Sequence, residues 1–379
     1  MKINIILGHA FPVPPGRAVA IGAVESRCWE IGNAMAGQGH DVVVYSRRCE
    51  RQARAEIFVN GLRVVGLRGH DWTRKRRRDL RNAFWYSLRL ASAVRDADVH
   101  VCKTFFFPFV AGVLRRPRGV VWVGLHREPR AHLRAYWPLL RDGGSGRFRF
   151  TAVSGFVKRE AERICPAMKG AVAVIPNPVD VHTFRPGPQK WAVPAVLYVG
   201  RIVKEKGLEY LAEAFARMKQ VCSEARLRIV GPLLPSQNSD GAFACELRRR
   251  FEAYPWSADV SFLGFKAGEL LLEEYQKAWI VCCPSVAGEA CCNVVTEAMA
   301  CGTPIVTTSF GPFPEQFTDG REGFQVPPRN AGALADALLC LIRNDSLRRS
   351  FGCAARERAQ QYSLSRIVDL YLNAFQKSL

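Results

Sequence analysis

The sequence has little continuous apolar character. At the amino terminus the only such run, Ile3 to Leu7, is too short for the hydrophobic region of a signal peptide. A second stretch, Thr104 to Leu114, is broken by Pro108 and falls short of the roughly 20 residues that span a bilayer. We therefore expect a cytoplasmic protein, soluble or held peripherally on the cytoplasmic face of a membrane.

The sequence also lacks a regular cysteine framework. Its 13 cysteines are odd in number, and Cys282, Cys283, Cys291 and Cys292 occur as adjacent pairs rather than with the C-x-x-C spacing of zinc sites. We expect reduced, mostly buried thiols. The Asp-x-Asp run from Asp96 to Asp98 precedes a predicted buried strand and is interpreted as structural, so no metal is expected.

Acidic residues are scarce in the first half of the chain. Residues 1–185 contain 32 basic and 14 acidic residues, whereas residues 186–379 contain 22 and 20, so nearly all of the net charge of +20 lies in the first half. Such a field attracts an anionic partner, which can be a membrane surface, an acidic substrate or a nucleic acid. No RNA- or DNA-binding motif accompanies the charge, so no nucleic-acid partner is expected.

The densest basic run is followed by apolar residues at helical spacing, namely Phe84, Trp85, Leu88 and Ala91. Two interpretations stay open: a solvated basic face above a core-facing stripe, or a patch that binds an anionic membrane or an acidic substrate. Each basic residue near an anionic lipid surface contributes about 1 kcal/mol, and interfacial aromatic residues add to this. The patch comprises Arg74, Lys75, Arg76, Arg77, Arg78, Arg81 and Trp85.

Short β-branched runs alternate with amphipathic helical segments along most of the chain, which is typical of parallel sheets covered by helices. The first series begins with a strand at Ile3 to Leu7, and Asn60-Gly61 predicts a hairpin. A second series begins at Ala195 to Val199, after a hinge rich in Pro and Gly. The sequence predicts an α/β protein with domains at 1–184 and 185–357, and a terminal helix within Leu347 to Leu379 whose part at 358–379 packs back toward the first domain.

Two loops of the second domain carry charged residues just after predicted strands, where doubly wound sheets bind their ligands. Arg201 and Lys206 follow one strand and can clamp a pyrophosphate. Glu289 follows another, and Glu297 lies in the next helix, within reach of a ribose diol. That helix, if it starts near Asn293, offers free N–H groups to a phosphate.

Over nearly its whole length the chain resembles the retaining, GT-B-type glycosyltransferases of family 4. The resemblance rests on six segments in order: Val174 to Asp180, Phe184 to Pro186, Gly200 to Gly207, Glu289 to Glu297, Gly311 to Glu315 and Asp319 to Pro328. It implies two Rossmann-like domains facing across a cleft, the first binding the acceptor and the second a nucleotide-sugar. It also implies metal-independent transfer, without a cofactor, of a hexose-type sugar from a nucleotide-diphosphate sugar to a cell-envelope, lipid-linked or exported glycan.

The resemblance implies roles for individual residues. Arg201 and Lys206 match the family's diphosphate-binding pair. Glu297 matches its ribose ligand and Glu289 its donor-sugar ligand, and His126 matches a histidine facing the donor sugar. Catalytic roles are predicted for Glu289, His126, Arg201 and Lys206. The donor-binding set is Gly22, Ala23, Gly200, Arg201, Lys206, Gly231, Phe265, Glu289, Cys291, Cys292, Asn293, Val294 and Glu297.

The sequence departs from the family pattern at two places. Ala23 replaces the second glycine of a Gly-Gly loop, and Cys291-Cys292 replaces the Phe-Gly of many relatives, so the donor sugar cannot be copied from them. Other functions stay open: a sugar-nucleotide epimerase or phosphorylase on the same fold, or a non-catalytic scaffold. A requirement for an acceptor separates a transferase from these alternatives.

Overall fold

The computed structural model describes residues 1–10, 23–47, 56–59, 61–68, 76–102, 118–126, 148–232 and 240–379. The chain divides into two compact units. Unit 1 contains Met1–Pro176 and Leu364–Leu379, and unit 2 contains Asn177–Ser363. The polypeptide thus leaves unit 1 once and returns to it at the carboxyl terminus.

Unit 1 is built on one eight-stranded sheet with the order β3-β4-β2-β1-β5-β6-β7-β8. All neighbouring strands run parallel except β3 and β4. Its central strands are buried on both faces, as parallel strands covered by helices must be. The strands are β1 (Lys2–Ala10), β2 (Asp41–Arg47), β3 (Glu56–Val59), β4 (Leu62–Leu67), β5 (Val99–Cys102), β6 (Val120–Leu125), β7 (Phe148–Ala152) and β8 (Val172–Val174).

The hairpin predicted at Asn60-Gly61 is confirmed. Strands β3 and β4 pair antiparallel, with Val59 opposite Leu62, so the chain reverses over two residues. Gly61 has a φ of +82°, which the left-handed positions of such turns require. Asn60 itself lies outside the described residues.

Three helices of unit 1 are α1 (Ala23–Gly37), α2 (Arg76–Ala93) and α3 (Gly155–Ile164). Helix α3 begins at a Ser154 N-cap, whose hydroxyl accepts the N–H of Val157 at 3.2 Å. On α2, Tyr86 and Leu90 are buried, whereas the side chains of Trp85 and Leu88 are exposed. The two exposed residues of the apolar stripe on α2 therefore do not belong to the core.

Unit 2 is built on a six-stranded parallel sheet with the order β11-β10-β9-β12-β13-β14. Its strands are β9 (Ala195–Val199), β10 (Arg226–Val230), β11 (Val260–Phe262), β12 (Ile280–Cys283), β13 (Ile305–Thr308) and β14 (Gly323–Val326). Its helices are α4 (Leu208–Lys219), α5 (Gly241–Glu252), α6 (Glu269–Lys277), α7 (Asn293–Ala300), α8 (Phe313–Gln316), α9 (Ala331–Arg343) and α10 (Asp345–Ala359).

The carboxyl-terminal segment is not one helix, as predicted, but two. Helix α10 ends at Ala359, a short 3-10 turn follows at Gln360–Tyr362, and α11 spans Leu364–Gln376. The interruption has a physical cause. The carbonyl of Tyr362 accepts a hydrogen bond from the N–H of Val179 at 2.8 Å rather than from a residue further along the helix. Within the described residues, none of these helices combines the length and the apolarity needed to cross a bilayer.

The chain segment that enters unit 2 pairs with the segment that leaves it, and this pairing assigns the entering segment to unit 2. Val179 pairs with Ser363 as well as Tyr362, and Arg356 of α10 donates to the carbonyls of Val181 and Phe184 at 3.0 and 2.9 Å. Residues 177–184, which the sequence analysis placed in the first domain, therefore pack with unit 2.

Helix α11 completes the core of unit 1 by packing beside α1. Its residues Ile367, Val368, Tyr371, Leu372 and Phe375 are buried in the same apolar cluster as β1, β2 and β5. The ring of Phe375 contacts Trp122 of β6, with centroids 5.7 Å apart. Leu370, which also fits the apolar spacing, lies on the partly exposed side of the helix.

We expect Phe375→Ala to lower the free energy of unfolding by about 3–5 kcal/mol, because it removes a fully buried aromatic ring and leaves a cavity. Leu370→Ala is the matched control on the same helix and should cost less than about 1 kcal/mol. Urea denaturation of both variants measures the difference. Equal losses would contradict the assignment of α11 to the core.

Candidate active site

In unit 2 the chain changes direction across the sheet between β9 and β12. From β9 it proceeds to β10 and β11 on one side, and it then returns to β12, β13 and β14 on the other. The loops after β9 and β12 therefore diverge above the carboxyl edge, which is where open α/β sheets bind ligands. They are also joined, because the N–H groups of Val286 and Ala287 donate to the carbonyl of Glu205 at 2.9 and 3.2 Å.

A buried ion pair connects these two loops. The Nζ atom of Lys206, after β9, lies 2.5 Å from Oε1 of Glu289, after β12. The hydroxyl of Ser285 donates to the same oxygen at 2.7 Å, and the carbonyl of Ser285 accepts the hydroxyl of Thr308. Glu289 is only 5% exposed, so its negative charge depends on these donors.

Lys206 is positively charged at neutral pH. Burial acts to lower the pKa of its ammonium, whereas the charge of Glu289 and the hydrogen bond to it act in the opposite direction, and the net pKa lies above the usual value. The positive charge of Arg201 is close enough to act on Lys206 as well, and it opposes this rise in pKa. Arg201 itself is exposed. Two cations thus stand together at the edge of the sheet.

Two glycines allow the loops to approach closely. Gly207 has a φ of +67°, and a Cβ atom there would lie 2.1 Å from the carbonyl oxygen of Pro284. A Cβ atom at Gly231, after β10, would lie 2.0 Å from the carbonyl oxygen of Gly200. Any side chain at either position would push the strand ends apart. The structure thus gives Gly231 a packing role.

Helix α7 begins at this edge without a side-chain cap. Its N-cap residue is Cys292, which makes no capping hydrogen bond, and Asn293 and Val294 form the first turn. The side chain of Asn293 is held by Asn177, whose Nδ2 donates to its Oδ1 at 2.9 Å. The first N–H groups of a helix carry partial positive charge and suit an anionic ligand.

Glu297 lies one turn into α7 and is half-buried. The hydroxyl of Tyr275 from α6 donates to its Oε2 at 2.9 Å. Burial, and then the negative charge of Glu297, raise the pKa of the Tyr275 phenol well above its usual value, so the phenol stays protonated. Tyr275 thus orients one carboxylate oxygen of Glu297, whose side chain is only half-buried.

In the fold, the predicted donor-binding residues of unit 2 lie on three segments: Gly200, Arg201 and Lys206 after β9, Glu289, Cys291 and Cys292 after β12, and Asn293, Val294 and Glu297 in α7. Their roles toward a donor stay a prediction. Phe265, after β11, has a 62% exposed side chain. Ser285, Tyr275 and Gln316 were not predicted from the sequence. Their side chains hydrogen-bond to Glu289, to Glu297 and to the backbone of Cys292, respectively. No motif marks them, because their importance depends on which strands and helices are neighbours.

The remaining predicted residues belong to unit 1 or lie outside the described residues. His126 follows β6 and is half-buried, and its role toward the donor stays a prediction. Ala23 is the first residue of α1, whereas Gly22 lies outside the described residues. Arg76, Arg77, Arg78 and Arg81 lie on the first turns of α2, and Arg74 and Lys75 fall outside the description.

The Asp-x-Asp run braces the sheet of unit 1. Oδ2 of Asp98 accepts the N–H of Lys2 at 2.7 Å, and Oδ1 of Asp96 accepts the N–H of Arg118 at 2.8 Å. Among the residues that the structure describes, no three His, Cys, Asp or Glu side chains are grouped so that they could hold a metal ion. Metal independence stays a prediction.

Two family models match successive parts of the chain. One described as "Glycosyltransferase Family 4" matches residues 24–183, and one described as "Glycosyl transferases group 1" matches residues 188–358. The boundary between the two matches lies within 12 residues of Pro176, where the first segment of unit 1 ends.

Curated relatives are similar over the whole chain or over part of it. The phosphatidyl-myo-inositol mannosyltransferase of Mycobacterium leprae is 25% identical over 390 residues, covering 99% of this chain and 96% of its own. The D-inositol 3-phosphate glycosyltransferase of Kribbella flavida is 31% identical over 219 residues, covering 55% of this chain and 51% of its own.

Solved structures share the fold at low sequence identity. Sucrose-phosphate synthase from Thermosynechococcus elongatus superposes with a TM-score of 0.82 at 21% identity, covering 99% of this chain and 98% of its own. An Anabaena HepE structure in complex with UDP and glucose has a TM-score of 0.74 at 17% identity, covering 100% of both chains.

We expect Lys206→Met to lower the free energy of unfolding by about 3–5 kcal/mol, because it leaves the buried carboxylate of Glu289 without its cation. The double variant Lys206→Met with Glu289→Gln should recover at least half of that loss, since no charge remains buried. Chemical denaturation of the single and double variants measures the coupling. If the loss in the double variant equals the sum of the losses in the two single variants, the ion pair does not couple the loops energetically.

Proposed function

Because this chain belongs to the family 4 glycosyltransferases and has their GT-B architecture, we propose that it transfers a hexose-type sugar from a nucleoside-diphosphate sugar to a lipid-linked or other cell-envelope glycan. The observation that carries the donor half of the proposal is the set of groups at one edge of the unit 2 sheet. Lys206, on whose pKa the charge of Arg201 acts, is tied through Glu289 to the loop that leads into the uncapped start of α7. Two cations and free N–H groups are what a diphosphate needs.

In the proposed complex, each part of the donor contacts a different set of residues. The diphosphate lies between the two cations and the first N–H groups of α7, and Glu297, oriented by Tyr275, accepts the ribose hydroxyls. Structural neighbours such as the Anabaena protein contain UDP and glucose, which supports a nucleotide-sugar donor. Cys291 and Cys292 border the sugar, and their difference from the family pattern bears on which sugar is accepted.

The proposed reaction retains the configuration at the anomeric carbon. The acceptor hydroxyl attacks the face from which the nucleotide departs, and its proton passes to the departing phosphate. Arg201 and Lys206 stabilise the charge that grows on the leaving diphosphate, and preorganised charge supplies most of the rate. One oxygen of Glu289 already accepts hydrogen bonds from Lys206 and Ser285, which supports a role in binding the sugar rather than attacking it.

The acceptor half of the proposal rests on the first half of the chain. Residues 1–185 carry nearly all of the net positive charge. Helix α2 begins with Arg76 to Arg78 and exposes 54% of Trp85 and 46% of Leu88, which supports docking on an anionic lipid surface over a purely core-facing stripe. The full-length relatives include mannosyltransferases that are named for a phosphatidyl-inositol.

A screen of UDP, GDP, ADP, CMP and dTDP with their sugars tests the donor. We expect one nucleoside diphosphate to raise the melting temperature by several degrees at 100 times its Kd, because binding then adds about 2.7 kcal/mol. Arg201→Ala should weaken that ligand roughly 10- to 100-fold, since it removes a charge-assisted contact of about 1.5–3 kcal/mol.

The matched control for Arg201→Ala is Arg249→Ala, which removes an exposed arginine from α5 of the same unit. Unchanged affinity in Arg201→Ala, or no ligand among the five for a folded protein, would refute the site. Product analysis with an acceptor completes the test. Turnover without any acceptor, or only with phosphate, would favour an epimerase or phosphorylase, and an inverted anomeric product would contradict retention.

Vesicle flotation tests the proposed binding of α2 to an anionic membrane. We expect Arg76→Ala with Arg77→Ala to weaken binding to vesicles containing phosphatidylinositol roughly tenfold or more, because each cation near an anionic surface contributes about 1 kcal/mol. Donor hydrolysis in solution should be unchanged. The control Arg248→Ala with Arg249→Ala removes the same charge from unit 2. Equal binding by both double variants would rule out the patch as the docking surface.

A further inference from the structure

Helix α7 is held at its start by a side chain from another element rather than by its own N-cap. The N–H of Cys292 donates to Oε1 of Gln316 at 3.1 Å, and the carbonyl of Cys292 accepts Nε2 of Gln316 at 3.0 Å. A backbone N–H can only donate and a carbonyl can only accept, so this pairing fixes the orientation of the amide. The two hydrogen bonds hold the peptide groups on both sides of the Cys292 Cα.

The backbone of Gln316 is held in place by packing and by hydrogen bonds. Gln316 is the last residue of α8 and is 3% exposed, and its neighbour Phe317 and the first residue of α8, Phe313, are fully buried. Its carbonyl accepts the hydroxyl of Tyr362 at 3.0 Å and a guanidinium N–H of Arg358 at 3.3 Å. Movement of Gln316 would therefore disturb a packed and hydrogen-bonded segment.

We propose that Gln316 is a positioning residue for the donor diphosphate. By fixing the Cys292 peptide, its amide aims the N–H groups of Asn293 and Val294 at the place where the diphosphate binds. This inference rests on the proposed function, because it takes those N–H groups as the diphosphate site. Charge stabilisation by N–H groups depends steeply on their direction, so a preorganised first turn binds the diphosphate without a cost of reorientation.

Only a group that both donates and accepts can replace the amide. In Gln316→Glu, the protonated acid can donate to the carbonyl of Cys292 and accept from its N–H, whereas the carboxylate opposes the carbonyl. Among the described residues, the titratable or charged groups near this amide are Arg358 and Tyr362, which donate to the carbonyl of Gln316, the Cys291 thiol, 3.9 Å from Nε2, and the adjacent Glu315. Since burial raises the pKa of a carboxyl group, its protonation should change between about pH 5 and 8.

The experiment measures the Kd of the nucleoside diphosphate that binds best among UDP, GDP, ADP and dTDP, for wild type and Gln316→Glu, at pH 5.5 and 8. The phosphates also change protonation in this range, so the ratio of variant to wild type is the readout. We expect a ratio near one at pH 5.5 and about tenfold weaker binding at pH 8. Gln316→Met, which makes neither hydrogen bond, should bind weakly at both values.

Gln325→Glu is the matched control. Its amide donates to the carbonyls of Phe313 and Phe317 at 3.4 and 3.1 Å, so it supports α8 without a hydrogen bond to Cys292. We expect no change of its affinity ratio with pH. Wild type that binds none of the four ligands refutes the proposed function. Two outcomes refute the positioning role alone, provided that wild type binds. In one, the affinity ratio of Gln316→Glu to wild type is the same at both pH values. In the other, Gln316→Glu unfolds at pH 8 but binds with normal affinity wherever it is folded.

Discussion

The parallel pairing of β9 with β12 is the constraint on which the candidate site depends. Because the chain leaves these neighbouring strands in opposite directions, their loops open a crevice at one edge of the sheet. The buried pair of Lys206 and Glu289 then ties the loops together, and neither charge can be left alone at this depth without a large cost. The same contact thus holds both the cation that we propose binds the diphosphate and the carboxylate that we propose binds the sugar.

Around this pair, three of the groups that we propose touch a donor are each held by a buried polar side chain. Ser285 donates to Glu289, Tyr275 donates to Glu297, and Gln316 brackets the Cys292 peptide. These hydrogen bonds are all made between groups of the protein itself, so they do not depend on a ligand to form. Such preorganisation suits transfer between sugars, where the enzyme stabilises a departing diphosphate instead of supplying a strong base.

The secondary structure followed from the sequence wherever the periodicity was strong. The span of β9 and the hairpin after Val59 agree with prediction, and the family resemblance is confirmed. Elements with weak signals were missed: α8 has four residues and two prolines nearby, α5 carries a run of arginines, and β14 is a four-residue edge strand. The terminal helix was predicted as one because local spacing cannot reveal that Tyr362 pairs with Val179.

The sequence by itself determined the fold class, the two domains and the charged residues at the ends of strands, because these depend on periodicity and spacing along the chain. Only the tertiary structure decided that Lys206 and Glu289 neutralise each other, that Gln316 fixes the start of α7, and that residues 177–184 belong with unit 2. Those contacts join residues that are 83, 24 and about 180 positions apart. Which of them meet is set by the order of strands in the sheet, which no local pattern encodes.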